Sequence, residues 1–443
     1  MSVVPPITAD TSRTAGPPGR RSPGDSRPGA AVTLDGLFSR TAARRPDATA
    51  VEDGWRSVTY GGAEKRSEQL ASALLRHGVQ LGDPVIVHTS DHVQALVAQL
   101  AVLKAGGVCT PVSSDGDRRL IEGTAAVSGA QLVLCSAENR ASWQLPALVL
   151  DDSGIMARLS ALRIDRSLPR SGPTDAAYLL VEQDRVGRAT GHLIDHKAWL
   201  LALTDRIRRA GRAERGVLSC QGPGGSTTLT ALWWAVSGGS TLSCRRPPPG
   251  GRGEFAALAL PRGGARFDAA VFGPAAYAEV LAGIERRPSA HLRKVVLIGE
   301  PCSHELVERH FQLLPHTPLL TEFSPLDSAL PWAAAELLAD GGRELHQGLV
   351  VGKASPHVRI TIRDADGQAV PAGTTGGIWA AGAALPFDHL SVYGAFTAPV
   401  RRASFAVSGH MGRWTEDGLL EVMGCHAVVP AGVAAAVQGD RCT

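Results

Sequence analysis

The chain has 443 residues, 44% of them hydrophobic and 20% charged, with a formal charge of +3. That length is too great for one small domain and supports two to four units with ample core. A charge balance this slight, with no dense basic run interleaved with aromatics, argues against a nucleic-acid partner, and no apolar run approaches the roughly 20 residues that cross a bilayer.

Residues 1–30 are rich in Pro, Gly, Ser and Arg without apolar periodicity. They are expected to form a disordered tail, and the lack of an apolar h-region argues against a secretory signal. From Thr33 the pattern changes. Glu64 to His77 carries Leu70, Ala71, Leu74 and Leu75 at helical spacing and stops at Gly78, just before the apolar run Pro84 to His88. Asp91 then opens a helix through Val93, Leu96, Val97, Leu100 and Leu103, closed by Gly106 and Gly107 ahead of the strand Val108 to Val112. A further helix and the strand Gln131 to Cys135 complete three alternations. This rhythm predicts a parallel sheet covered by helices on both faces, a first α/β subdomain over 31–172.

A Pro/Ser-punctuated stretch from about Asp165 to Pro173 separates a second doubly wound, mostly parallel α/β subdomain, 173–345. It is expected to start with a strand at Ala177 to Val181. Further strands are predicted near Gly216 to Cys220, Ser240 to Cys244, Phe267 to Phe272, Lys294 to Ile298 and Leu319 to Phe323. Beyond Gly348, short strands and turns predict a small β-rich, barrel-like subdomain over 346–424, and 425–443 is too short for another domain. The seven cysteines are odd in number, widely spaced and mostly inside apolar runs, so they are read as reduced core thiols of a cytoplasmic protein.

The stretch from Ala177 to His196 concentrates the functional question. A strand, a loop punctuated by Gly187 and Gly191, and a regular element resuming at Leu193, Ile194 and Lys197 form the layout that cradles phosphates. Yet Glu182 and Asp184 stand where such a loop needs small residues and bare N–H groups.

The segment Val58 to Val112 combines a helix ending in Gly-Val, a Gly-Asp-Pro-Val turn and a Leu-Lys-Ala-Gly-Gly helix exit in order. On these motifs the chain from Thr33 to about Gly424 resembles the large N-terminal portion of the adenylate-forming superfamily, and especially amino-acid adenylation domains of nonribosomal peptide synthetases. The resemblance implies a Ser/Thr/Gly loop over the ATP phosphates followed by a lysine. Here those loop positions carry Glu182, Gln183, Asp184, Arg185 and Val186, and the lysine position carries Thr190, while Gly187, Arg188 and Gly191 still match.

Other positions that the resemblance assigns to nucleotide or substrate have changed as well. The aspartate that holds a substrate amine falls on Ser226, within Gly225 to Thr228; the Phe267 to Ala270 run, which looks like that motif, reads as the next strand. The adenine-stacking ring falls on Phe323, with Asp327 left as a shorter candidate ligand for magnesium. The ribose-holding aspartate is His410, and the hinge Arg and Asp are Cys425 and Ala427. The mobile C-terminal domain that the resemblance implies, with its catalytic lysine, is expected to be absent, and 425–443 to be a truncated remnant of the hinge.

Each carboxylate near a polyphosphate costs about 1 to 4 kcal/mol. Loss of one charge-stabilising donor typically costs about 100- to 1000-fold in rate. The scaffold positions Gly82, Asp83, Gly106, Gly107, Gly299, Glu300, Pro325, Gly352 and Gly418 nonetheless match the family. The expectation is therefore a folded relative that does not perform standard adenylation and serves as a binding, docking or regulatory partner of a carrier protein or synthetase in a secondary-metabolite assembly line, with no ATP or Mg2+ cofactor. The alternative is an acid-activating ligase that uses ATP and Mg2+ and is completed in trans.

Gly187, Thr190, Phe323, Asp327 and His410 are the candidate remnants of a nucleotide site, with Asp327 the candidate metal ligand. His196 and His410 lack metal-spaced partners and are expected to be structural or superficial. No GxSxG elbow or other nucleophile is legible. Ser226 and Thr227 are the candidate substrate contacts: the GPGGSTT run at Gly222 to Thr228 opens a helix whose first N–H groups suit an anion, the plainer alternative being an N-cap.

Overall fold

A computed structural model describes residues 32–54, 56–113, 118–165, 170–183, 188–245, 267–286, 292–325, 328–339, 349–391 and 405–424. The expected tail, Gly187, Asp327, Cys425 and Ala427 therefore lie outside the described residues, as do Asp184, Arg185 and Val186.

The first sheet grows from the predicted alternation. β3 (Pro84–His88), β4 (Val108–Pro111), β5 (Val133–Cys135) and β6 (Ala147–Val149) run parallel in the order β4-β3-β5-β6. Helix α3 (His92–Lys104) crosses between β3 and β4. Its start is set by Asp91, whose carboxylate accepts from the N–H groups of Val93 and Gln94 at 2.8 and 3.1 Å. Gly106, with φ +83°, supplies the left-handed residue that turns the chain out of this helix. Helix α2 (Tyr60–Arg76) packs against α3, and α1 (Leu34–Arg44) and α5 (Ser153–Ser160) pack against α2 in turn.

β7 (Ala176–Gln183) joins this sheet beside β4. The sequence pattern has it start the second alternating set instead. Its partner is decided by a long-range pairing, Cys109 with Tyr178, that local periodicity does not encode. A second difference follows at once. No helix succeeds the loop after β7; β8 (Ala189–Asp195) returns antiparallel to it as a hairpin, and β18 (Asp388–Ser391) covers the outer edge of β8. The sheet order is β18-β8-β7-β4-β3-β5-β6.

Among the described residues the second sheet has 13 strands. Its parallel heart is β10 (Thr241–Cys244), β9 (Gly216–Ser219), β11 (Ala269–Phe272), β12 (Lys294–Gly299) and β13 (Leu319–Phe323) in that order. Strand β11 confirms Phe267 to Ala270 as the approach to a strand. At one edge β1 (Thr49–Asp53) adds in parallel to β10 and brings β2 (Arg56–Thr59) with it, a pairing that joins the chain's beginning to its middle. At the other edge, antiparallel β14 (Ala333–Leu337) and β15 (Leu349–Ala354) lead into β20 (Leu420–Gly424), β19 (Ala406–Trp414), β17 (Gly376–Gly382) and β16 (Val358–Arg363). These β-rich strands enclose a core of their own around Trp332, Ile360, Ile378 and Leu420. The architecture is α/β with two parallel-rich sheets and a β-rich portion, as the sequence predicts. The β-rich strands continue the large sheet as an open row.

A charge pair locks the two sheets' elements together. Helix α6 (His196–Ala210) follows β8, and its Arg206 makes two parallel bonds to Glu322 of β13, Nε to Oε1 at 2.9 Å and Nη2 to Oε2 at 2.6 Å. Both side chains are 1% exposed. The five described cysteines are all free, four of them buried, in keeping with the core-thiol reading.

Candidate functional site

On the side that the resemblance assigns to phosphates, the hairpin pairs Glu182 with Thr190 and Leu180 with His192. The Glu182 carboxylate is 2.7 Å from His192 Nε2. Thr190, at the lysine position, also pairs with Ser391 of β18. Helix α6 does not serve this loop. Its N-cap, Asp195, pairs with Ala176 at the opposite end of β7, so the seven residues of β8 separate the helix start from the loop by about 20 Å. That helix terminus is moreover satisfied internally, the Asp195 carboxylate accepting from Ala198 N–H at 2.7 Å. The described residues around the loop thus present the Glu182 carboxylate, with the exposed Arg188 immediately before β8 in sequence, and no helix dipole. Among the described residues no group of three His, Cys, Asp or Glu side chains is placed to hold a metal.

On the side assigned to the nucleoside, Phe323 and His410 are brought together, and Glu300 joins them. Phe323 ends β13 and is 1% exposed, with its ring meeting Trp332 at 6.5 Å and His410 at 5.4 Å, the latter edge-on at 84°. His410 sits on β19 with Nδ1 3.0 Å from the Ser408 carbonyl and Nε2 2.7 Å from a Glu300 carboxylate oxygen. Both ring nitrogens thus face oxygen acceptors. The position expected to hold ribose is bonded to the residue after β12, and the ring expected to carry adenine is covered. His410 is therefore neither an isolated core nor a surface histidine; only its partner, 110 residues away in sequence, reveals that.

His196 is buried and structural. Its Nδ1 accepts from Leu34 N–H at 3.1 Å, and burial pushes its pKa down to about 4. Burial likewise pushes the Cys220 and Cys302 thiols up to about 12, which leaves neither as a thiolate nucleophile near neutral pH.

The third group lies at helix α7 (Ser226–Gly238), which follows β9. Its N-cap is Gly225, with no side-chain cap, and not Ser226 or Thr227 as an N-cap reading requires. The cause is a close approach: a Cβ on Gly224 would come within 2.6 Å of the Val112 carbonyl carbon, so the loop presses flat on the end of β4 and the helix begins early. Thr227 then donates to the Gln221 side chain, and the Thr228 hydroxyl lies 2.8 Å from that of Ser219. His92 fixes the loop from below, with Nδ1 2.8 Å from Asp53 and Nε2 3.0 Å from the Gln221 carbonyl.

A pocket of about 310 Å3 opens here between the ends of β4 and β7, helix α4 (Arg118–Ser128) and the start of α7. Glu182, Gln183 and Ser226 line it, so it joins a candidate substrate residue to the altered phosphate loop. Sequence reasoning missed Thr124 in its wall, His192 behind Glu182, and Glu300 as the partner of His410. Only the period-2 alternation of two paired strands signals the Glu182–His192 contact, and only once the pairing is known.

Residues 38–181 match the family profile described as AMP-binding enzyme. Phosphinothricin tripeptide synthetase PhsB of Streptomyces viridochromogenes is 28% identical over 422 residues, which cover 89% of this chain and 34% of that protein. Bacitracin synthase 3 of Bacillus licheniformis is 24% identical over 400 residues, 88% of this chain and 6% of that protein. The chain thus spans only a fraction of these relatives. Among solved structures, the nonribosomal peptide synthetase FmoA3 superposes with a TM-score of 0.75 at 23% identity, over 90% of this chain and 43% of that one. The N-terminal subdomain of Klebsiella oxytoca NpsA, solved with 3-hydroxybenzoyl-AMSN, gives 0.71 at 16% identity over 88% of this chain and 99% of that one. Sequence motifs, fold and these matches agree: residues 38–181 match an AMP-binding-enzyme profile, and the chain is similar, over 88–89% of its length, to segments of nonribosomal peptide synthetases.

Proposed function

We propose that this chain does not carry out standard ATP-dependent adenylation and acts as a binding, docking or regulatory partner in a nonribosomal-peptide or related secondary-metabolite assembly line, where its partner is a carrier protein or a synthetase. The observation that carries the reading is the bridge from His410 to Glu300 across the edge of Phe323. A nucleoside entering there must break a charge-assisted bond and uncover a ring buried in the β-rich core. Glu182 adds repulsion at the phosphate end. Two obstacles of different physical kind therefore oppose one ligand. Assembly-line partnership is supported by relatives that are themselves synthetases, and by the fused adenylation and carrier di-domain NpsA-ThdA, which superposes with a TM-score of 0.73 at 15% identity over 91% of this chain.

Calorimetric titration of the full chain with Mg-ATP tests the reading. No saturable heat is expected at millimolar nucleotide. Saturable binding together with acid-dependent turnover refutes it and favours the ligase alternative, with ATP and Mg2+ as its cofactors.

A further inference from the structure

We infer that a second pocket, between the end of α6, the starts of β12 and β13 and the end of β14, binds a small zwitterion with an aliphatic body, its carboxylate toward Lys294 and its ammonium toward Glu336. The site lies at the start of β12, the length of that strand away from Glu300 and the altered nucleoside side, and its ligand is independent of the proposed loss of adenylation.

Strand alternation places the two charges. Val295, Leu297, Leu319 and Leu337 pack in one core cluster, whereas Val296, Ile298, Leu320 and Ala334 pack in another on the opposite face of the sheet. Lys294 and Glu336 fall on that second face, where Glu322 meets Arg206 of α6. Pairing of Val296 with Leu320, and of Leu320 with Glu336, sets Leu320 between them. Two strand spacings and one pleat repeat then separate the Cα atoms of Lys294 and Glu336 by about 12 Å. Both side chains line one pocket of about 230 Å3, which Pro318 and Leu320 floor with apolar surface.

Neither charge is met within the protein. Among the described residues, the Lys294 ammonium and the Glu336 carboxylate make no hydrogen bond or ion pair. Arg209, the other charge in the wall, is committed to the scaffold: its Nε donates to Asp205 at 3.1 Å and its Nη1 to the Ala334 carbonyl at 3.4 Å. Gly211 keeps the lysine's place open, since a Cβ there would lie 2.9 Å from Lys294 Nζ. Two opposite charges that share a cavity without touching suit a ligand with the complementary charge at each end. A simple anion meets Lys294 but is repelled by Glu336, and a simple cation meets the converse. An α-amino acid carries its charges about 3 Å apart and, with a charge-assisted bond of about 2.8 Å at each end, spans about 9 Å. Long side chains rooted about 12 Å apart can close on that span. The volume lies below the usual range for drug-sized ligands and limits the aliphatic body to a few carbons.

Calorimetry on the full chain without nucleotide tests this, with L-valine as the probe. Saturable binding is expected. Isovalerate, which lacks the ammonium, and isobutylamine, which lacks the carboxylate, are each expected to bind about tenfold more weakly or less. Lys294→Met and Glu336→Gln are each expected to weaken L-valine by about tenfold while leaving the melting curve unchanged, because neither side chain holds another residue. Absence of saturable binding, equal binding of either singly charged analogue, or indifference to either substitution overturns the inference. Binding of L-valine in the altered cleft would show as that indifference, since neither residue lies there. Because no ATP is present, a failure here is separate from a failure of the proposed loss of adenylation.

Discussion

Adjacent residues of β13 lead to opposite outcomes. Glu322 faces α6 and holds Arg206 in a bidentate pair, both side chains 1% exposed, while Phe323 points to the other face and meets His410, which is paired with a Glu300 side chain 62% exposed. The chemistry is similar on both faces, a side-chain nitrogen beside a carboxylate. Solvent separates the two cases. The buried pair holds the fold and cannot lose one partner cheaply; the rim pair occupies a cleft and can be broken with little loss of stability.

Substitutions on the two faces should separate these roles. Arg206→Ala strands Glu322 in the core and is expected to cost about 3 to 5 kcal/mol, read as a lowered denaturant midpoint. A small effect would mean that the buried pair is not what joins α6 to β13.

Acid should act next most strongly, through the scaffold and not the rim. His196 is held neutral by burial, with its pKa lowered from 6.5 to about 4. Between those values the unfolded chain binds a proton that the folded chain excludes, so stability is present above about pH 6.5 and is lost as pH falls toward 4, by about 3 kcal/mol. His196→Asn, which keeps an acceptor near Leu34 N–H, is expected to flatten this slope in pH-dependent melts.

On the rim, Glu300→Gln is expected to change stability by less than about 1 kcal/mol. A larger loss in the same denaturant assay would make the His410–Glu300 bridge part of the fold. Smallest of all, Thr190→Lys alone is expected to give no gain in adenylation, because Glu182 stays one strand away and the nucleoside side stays covered. A gain would show that the lysine position outweighs every other change.

Much of this fold is legible from residue order, because period and punctuation are local. Asp91 starts α3 where a side-chain cap must, and Gly106 ends the helix where a left-handed residue is needed. Legibility fails wherever the deciding contact is distant. The run from Ala189 into the helix beyond Asp195 has no break that marks a strand turning into a helix, so the β7–β8 hairpin reads as a loop leading to a helix. Ser226 and Thr227 are better caps than glycine in isolation, yet the approach of Gly224 to Val112 moves the start of α7 forward. The candidate site is legible as a set of altered positions, but what they contact instead is not. His410 finds Glu300, and Glu182 finds His192, only through tertiary pairing.

The central claim is that the cleft does not activate an acid with ATP. Pyrophosphate exchange by the full chain, across a broad panel of amino, aryl and hydroxy acids with Mg-ATP, measures this directly. Exchange at the no-enzyme background is expected for every acid; exchange above background that depends on one acid contradicts the claim.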